Sequence, residues 1–251
     1  MEEALELGNF LPLSFKTRSE QEYIQFLWDA FETNYTHGKY QFAFLAYHML
    51  TMSFVYFNIW QIKQNEPEDF EKGLVGFAKD EKTLLAATSP FAFSIVPERT
   101  MLRFLKLIAC DNSKIGKYAK LVDDRNDAAH PNGNIFFSTQ AALDAKIREI
   151  LRVADEIQTH SSSTIQRCYA RFLAESNNPD ERQYFDAADQ IREILIHAHY
   201  LSQKDIEICA RVKITDYETH PNFTGIESLH QSLRANYTDA VAVPTPGPPR
   251  C

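Results

Sequence analysis

Arg125, Asn126 and His130 bring side chains that bind phosphate and side chains that move protons into one short segment. An arginine guanidinium stays charged and presents a planar fork that matches phosphate oxygens. A histidine serves as acid or base near neutral pH, and an asparagine orients an imidazole or donates to a phosphate oxygen. These three residues are therefore the candidate catalytic residues, and the chemistry they favour is reaction at a phosphate group.

The surroundings of this motif distinguish it from a second pair with the same spacing. Arg192 and His197 enclose an apolar-rich helical segment and have no asparagine after the arginine. Arg125 and His130 instead bracket a predicted helix end. Because a residue before proline avoids the helical conformation, we expect His130 to leave the helix axis.

A helical wheel places Arg125 and Asn126 at the border of an apolar stripe. The stripe consists of Ile115, Tyr118, Ala119, Val122 and Ala129. A charge at that border needs a partner, a ligand or a subunit interface. In the alternative interpretation, Arg125 caps helix carbonyls or pairs with an acid such as Asp123 or Glu156, and His130 only closes the helix.

The elements around the motif are predicted to be helical. Eighteen phenylalanines against eight glycines suit helices packed on helices, so the fold class is all-α. Ser19 and Glu22 form a predicted capping box for a helix to about Tyr35. Gln41 to Ile62 contains no charged residue, which favours a buried core helix over the alternative of a membrane span.

Three regions follow from this pattern. Residues 1–160 form a predicted helical domain that ends in an amphipathic helix from Ser138 to Thr159. Ser161 to Ser163 form a predicted joint or cap, and residues 161–235 a helical extension packed on the first domain. Residues 236–251 form a predicted disordered tail, because Pro244 begins a proline-rich stretch.

Composition limits the function classes. The net charge of -8 disfavours a chain-wide basic surface for duplex DNA, although the segment from Arg103 to Arg125 is locally basic. The N-terminal residues do not resemble a secretory signal, so we expect a cytoplasmic protein with free thiols. The cysteine spacing excludes a sequence-local zinc ribbon, and there is no glycine-rich phosphate loop. We expect no cofactor and no metal.

The R-N-x-x-x-H motif at a helix end resembles the catalytic motif of HEPN (higher eukaryotes and prokaryotes nucleotide-binding) domains. The match covers Arg125, Asn126 and His130; the helices from about Ser19 to Thr159 fit the family's bundle loosely. The resemblance implies a metal-independent endoribonuclease that acts as a homodimer, often a toxin or antiviral effector. Asn132 stands where HEPN toxins neutralised by a nucleotidyltransferase carry a modified tyrosine, which puts that antitoxin mechanism in doubt.

RNA cleavage without a metal fits these residue types. A base must take the 2′-hydroxyl proton, an acid must protonate the leaving 5′-oxygen, and positive charge must stabilise the phosphorane. One motif holds one histidine, so two chains around a two-fold axis are expected. The predicted partners are RNA, a second copy and an antitoxin or regulatory protein. The alternative is a non-catalytic HEPN-like module that binds a partner protein or a nucleotide.

Overall fold

The computed structural model describes residues 1–75, 77 and 81–238, and this part of the chain is helical without a β-strand. The all-α prediction is therefore confirmed. The α-helices are α1 (Glu2–Leu5), α2 (Arg18–Thr36), α3 (Tyr40–Asn65), α4 (Pro67–Gly73), α5 (Glu81–Leu85), α6 (Glu98–Met101), α7 (Asn112–Ala129), α8 (Gln140–Ser176), α9 (Ala187–Gln190), α10 (Gln203–Ala210) and α11 (Phe223–Tyr237). Short 3₁₀ helices at Glu6–Phe10, Pro90–Ile95, Leu102–Ile108, Pro179–Glu181 and Ile214–Tyr217 and a π-helical stretch at Ile191–His197 join them.

Helix α3 is the centre of the fold. It is buried along almost its whole length between Ala43 and Ile62, and α2, α4, α7 and α8 all pack against it. Its length and composition would suffice to cross a membrane, but 83% of its most apolar stretch is buried inside the molecule. An uncharged helix can be covered on most sides only by other apolar helices, which explains why four of them surround it.

Helix α2 begins earlier than its sequence predicts. The capping box is formed by Thr17, whose side chain accepts from the Glu20 backbone N–H, and by Glu20, whose carboxylate accepts from the Thr17 backbone N–H. The predicted pair Ser19 and Glu22 is wrong by two residues. The earlier start places Glu20 on the buried face of the helix, where its side chain meets distant residues.

Helix α8 runs without interruption through the predicted joint. Ser161 is buried, and its hydroxyl donates to the Ile157 carbonyl within the helix and to the Asn58 side chain on α3. Serine side chains that bond within the helix do not end it, so the predicted joint or cap at Ser161 to Ser163 is wrong. Of the predicted tail at 236–251, residues 239–251 lie outside the described residues, and α11 continues to Tyr237.

Two buried apolar clusters lie along α8. The larger contains α2, α3, α7 and the first half of α8; the smaller contains the second half of α8 with α10, α11 and the π-helical stretch. Asp205, on α10, lies between them. Its carboxylate accepts from the Ser202 backbone and hydroxyl at 2.9 Å, from Gln61 of α3 at 3.0 Å and from Gln158 of α8 at 2.6 Å.

We expect Asp205→Ala to lower the free energy of unfolding by about 3 kcal/mol, because four buried donor groups, two of them on Ser202, lose their acceptor. Urea denaturation measures this change. Asp189→Ala is the matched control: that side chain is 44% exposed and pairs with an exposed arginine, so a loss under about 1 kcal/mol is expected. Equal losses in the two variants would contradict the role given to Asp205.

Candidate functional site

The C-terminal end of α7 carries the predicted motif. Asp111 caps the start of this helix by accepting from the Lys114 backbone N–H, and the helix ends at Ala129. His130 adopts an extended backbone with φ −83° and ψ 143°, and its N–H donates to the Asn126 carbonyl. The prediction that His130 leaves the helix axis is therefore confirmed. The backbone at His130 thus leaves the helical path on which Arg125 and Asn126 lie.

Gln41, in the first turn of α3, fixes the end of α7 and the loop that follows it. Its Nε2 donates to the Ala128 carbonyl at 2.8 Å, and its Oε1 accepts from the Phe136 backbone N–H at 2.9 Å. One side chain thereby supplies a partner for a carbonyl that the helix end leaves open and for an N–H of the following loop. The loop that begins at His130 is held against the central helix on both sides.

Arg125 pairs with Glu98 at the start of α6. Its Nη2 lies 2.8 Å from Glu98 Oε2, and the same oxygen lies 2.9 Å from Nε2 of His48 on α3. His48 is 1% exposed, and its Nδ1 has no partner within the described residues. A carboxylate neighbour favours the hydrogen on Nε2. Three separate helices thus meet in a His48–Glu98–Arg125 cluster.

The partner of Arg125 differs from the acids that the sequence suggested. Asp123 pairs with Arg99, and Glu156 pairs with Lys117. Asp123 is close to Arg125 in the sequence, and Glu156 belongs to a helix expected to pack nearby. Glu98 takes the position because it begins α6 beside the buried His48, where a carboxylate is required to satisfy two donors at once.

The cluster changes the protonation of Glu98. Burial by itself would raise the pKa of this carboxyl group, but the hydrogen bonds and charges of His48 and Arg125 outweigh burial and hold the pKa below its ordinary value. Glu98 is therefore ionised at neutral pH. Its charge offsets part of the positive charge of Arg125, and the bond fixes the direction of the guanidinium.

Asn126 and His130 are not part of this cluster. Asn126 is half-buried, and His130 is exposed. In the part of the chain that the structure describes, neither side chain has a hydrogen-bond partner, and no hydrogen bond joins Arg125 to His130. The structure thus brings Arg125 together with Glu98 and His48, and leaves Asn126 and His130 beside them at the end of α7.

A cavity of about 780 Å³ adjoins Arg125 and Glu98. One wall is α3, from Met49 through Met52 and Ser53 to Tyr56. The start of α2 and the segment from Ser89 to Glu98 form the other walls. Since an α-helix rises 1.5 Å per residue, the α3 wall is about 10 Å long. Most of the lining is apolar, and the charged residues that line it are Glu20, Glu98 and Arg125.

Glu20 lines this cavity and is 5% exposed. Its carboxylate accepts from the Tyr200 hydroxyl at 3.0 Å, from the Ser89 hydroxyl at 2.6 Å and from the Thr17 backbone N–H at 3.2 Å. No cation in the described residues forms an ion pair with it. Tyr200 has a left-handed backbone with φ 53°, and its ring packs on Phe57 at 5.2 Å, so its hydroxyl is held in place beneath Glu20.

Sequence reasoning did not identify His48, Glu98 or Glu20 as site residues. His48 is one of several polar residues in an uncharged helix, Glu98 stands at a helix start, where acids are common, and Glu20 belongs to a cap. The available signal was the uncompensated histidine in the middle of a buried helix, since such a ring requires a polar partner from another element.

Comparisons with protein-family models, with curated proteins and with solved structures found no match to this chain. Within the described residues, no group of three or more histidine, cysteine, aspartate or glutamate side chains is arranged to hold a metal ion.

We expect Glu98→Gln to lower the free energy of unfolding by about 2–3 kcal/mol near neutral pH, because the buried His48 and the half-buried Arg125 lose their shared anion. A carboxyl group whose folded pKa is depressed contributes stability above its unfolded pKa and loses it as the pH falls through the folded value. The difference between variant and wild type therefore shrinks as the pH falls from the ordinary pKa of a glutamate through the lowered pKa of Glu98.

Urea denaturation at neutral and at acidic pH measures both effects. Glu22→Gln on α2 is the matched control, since its side chain is 61% exposed and its removal should change stability by less than about 0.5 kcal/mol. A Glu98→Gln deficit that stays the same at both pH values would refute the ionised cluster.

Proposed function

We propose that the protein is a metal-independent endoribonuclease of HEPN type, with Arg125, Asn126 and His130 as its catalytic residues. It cleaves RNA by attack of the 2′-hydroxyl in a homodimer, as a cytoplasmic toxin or phage-defence effector.

The observation that carries the proposal is the state of the side chains at the end of α7. His130 is exposed and has no hydrogen-bond partner in the described residues, so it does not serve as a structural contact through its imidazole. Arg125 is 31% exposed, and its bond to Glu98 engages one terminal nitrogen. Nε is buried and has no partner within the described residues, which leaves Nη1 as the nitrogen that can bind a phosphate oxygen.

Each residue has a role in the proposed reaction. One His130 takes the 2′-hydroxyl proton, the freed oxygen attacks phosphorus, and the 5′-oxygen leaves with a proton from a second imidazole. Arg125 stabilises the charge on the phosphorane, and Asn126 orients the imidazole or donates to a phosphate oxygen. Glu98 is a positioning residue, because it touches Arg125 and not the reacting atoms.

A second copy of the chain would supply the second imidazole. Large apolar side chains are exposed near the motif: Phe42 at 59%, Ile135 at 72% and Phe136 at 41%. Phe136 follows the loop that begins at His130, and Phe42 is adjacent to Gln41, which binds that loop. Exposed apolar side chains beside a candidate site favour an interface, which supports a dimer around this end of α7.

Exposed basic side chains in the segment from Arg103 to Arg125 favour the approach of RNA. Arg103, Lys106 and Lys120 are exposed and form no ion pair within the described residues. Lys117, in contrast, pairs with Glu156. Unpaired surface cations raise the local concentration of a polyanion even when the net charge of the chain is negative.

We expect His130→Ala and Arg125→Ala each to lower RNA cleavage by about 10²–10⁴-fold, because an acid/base group and a phosphate ligand are lost. The assay uses labelled RNA in the presence of EDTA, and the products should carry 2′,3′-cyclic phosphate ends. Size-exclusion chromatography of the same samples determines whether the active species is a dimer.

The chain contains its own control pair. Arg192 and His197 have the same spacing, and Arg192 is 56% exposed and paired with Asp189 and Glu193. Arg192→Ala and His197→Ala should leave cleavage unchanged. Wild-type cleavage by His130→Ala, or a strict requirement for a metal ion, would disprove the assignment.

A non-catalytic HEPN-like module that binds a partner protein or nucleotide is the second candidate function. It is favoured by the pairing of Arg125 with Glu98, which offsets the charge that a nuclease would use. It predicts that purified wild type does not cleave RNA under any condition in which the fold is intact, and that Arg125→Ala does not relieve toxicity in a host.

A further inference from the structure

The cavity beside α3 carries a net negative charge. Of the charged residues that line it, Glu20 and Glu98 are acids and Arg125 is basic, so one negative charge is left over. Glu98 is already paired with Arg125. The remaining charge is that of Glu20, which is buried and has no ion-pair partner in the described residues. Lys16, which does not line the cavity, lies over the Tyr200 ring at 4.9 Å from its centroid and interacts with Glu20 electrostatically without direct contact.

Glu20 has room for one further donor. A carboxylate offers about four acceptor positions. Three hydrogens are donated to Glu20, by the Tyr200 hydroxyl, the Ser89 hydroxyl and the Thr17 backbone. The Tyr200 hydroxyl lies 3.0 Å from both carboxylate oxygens but has a single hydrogen, so it counts as one donor. A buried carboxylate with a free acceptor position and no cation in direct contact is stabilised by a positively charged donor.

Aromatic rings lie close to this carboxylate. Tyr23 and Phe91 both line the cavity, and their rings meet edge to face with centroids 5.1 Å apart. Tyr56 lines the α3 wall, and burial raises its pKa to about 12, so its phenol stays neutral. Aromatic faces next to a carboxylate bind organic ammonium groups, because the ring quadrupole attracts cations.

The opposite end of the cavity disfavours an anion. An anionic ligand at Arg125 would compete with Glu98, which already holds Nη2, and would lie in a cavity with a second carboxylate. Between the two ends the wall is apolar, with Met49 and Met52 on α3 and Ile95 and Val96 opposite. Methionines adapt to ligands of differing shape.

We propose that this cavity is a binding site for an elongated organic cation, with its ammonium group at Glu20 beside Tyr23 and Phe91 and its apolar body along α3. The site rests on the cavity alone and does not depend on the proposed nuclease activity.

Three probes with the same alkyl chain and different heads test the charge of the ligand. Isothermal titration calorimetry with octylammonium, octanol and octanoate should give the tightest binding for octylammonium, with octanoate weaker by about 10-fold or more. Equal affinities for the three probes, or tighter binding of octanoate, would overturn the proposal.

Matched variants locate the ammonium group. Glu20→Gln keeps the size of the side chain and a residue suited to the capping box, and it should weaken octylammonium binding about 10-fold while leaving octanol unchanged. Glu22→Gln makes the same charge change at an exposed position of α2 and should have no effect. Binding of octylammonium by Glu20→Gln as tight as by wild type would refute the site.

Two further variants keep the test decisive if Glu20→Gln does not fold. Tyr23→Leu at the rim removes a ring and keeps an apolar side chain, so it should weaken octylammonium several-fold and octanol little. Met49→Trp, at a position that is 41% exposed, should narrow the cavity and weaken binding of both octylammonium and octanol several-fold. Unchanged octylammonium binding in either variant would show that the cavity is not the site.

Discussion

The burial of an uncharged helix on all sides is the constraint on which this structure depends. Helix α3 cannot turn a face to solvent without exposing apolar area, so its neighbours must surround it. Its few polar side chains then have to find partners on those neighbours. Gln41 binds the end of α7, His48 binds Glu98 at α6, and Gln61 binds Asp205 on α10. These three polar residues of the core helix therefore each fix the position of a different element.

The cavity is a consequence of the same arrangement. Helix α2 and the segment from Ser89 to Glu98 cover α3 from two sides, and the space between them is left open along Met49 to Tyr56. The boundaries of that space are set by polar contacts. Glu20 ties the start of α2 to Ser89 and Tyr200, and Glu98 ties the start of α6 to α3 and α7. Glu20 and Glu98, which hold these elements together, are therefore also the acids that a ligand in the cavity would contact.

Local signals in the sequence predicted the helices and the end of α7, but not the contacts between them. The proline after His130 was sufficient to predict an extended residue, because proline restricts its neighbour directly. The capping box was displaced by two residues, since Thr17 and Ser19 both satisfy the pattern and only the tertiary bonds of Glu20 favour the first. The serines at 161–163 predicted a break, yet the bond from Ser161 to Asn58 on α3 keeps α8 continuous.

Arg125 illustrates why the site itself could not be completed from the sequence. Its place at the border of an apolar stripe requires a partner, and nearness in the sequence points to acids such as Asp123. The structure selects Glu98, whose Oε2 also accepts from buried His48. Removing Glu98 from that position would leave the buried His48 and the half-buried Arg125 without their shared acceptor, whereas Asp123 is half exposed and pairs with Arg99 at the surface. Arg125 thus pairs with the acid that also satisfies a buried donor. That donor is His48, which lies 77 positions away in the sequence.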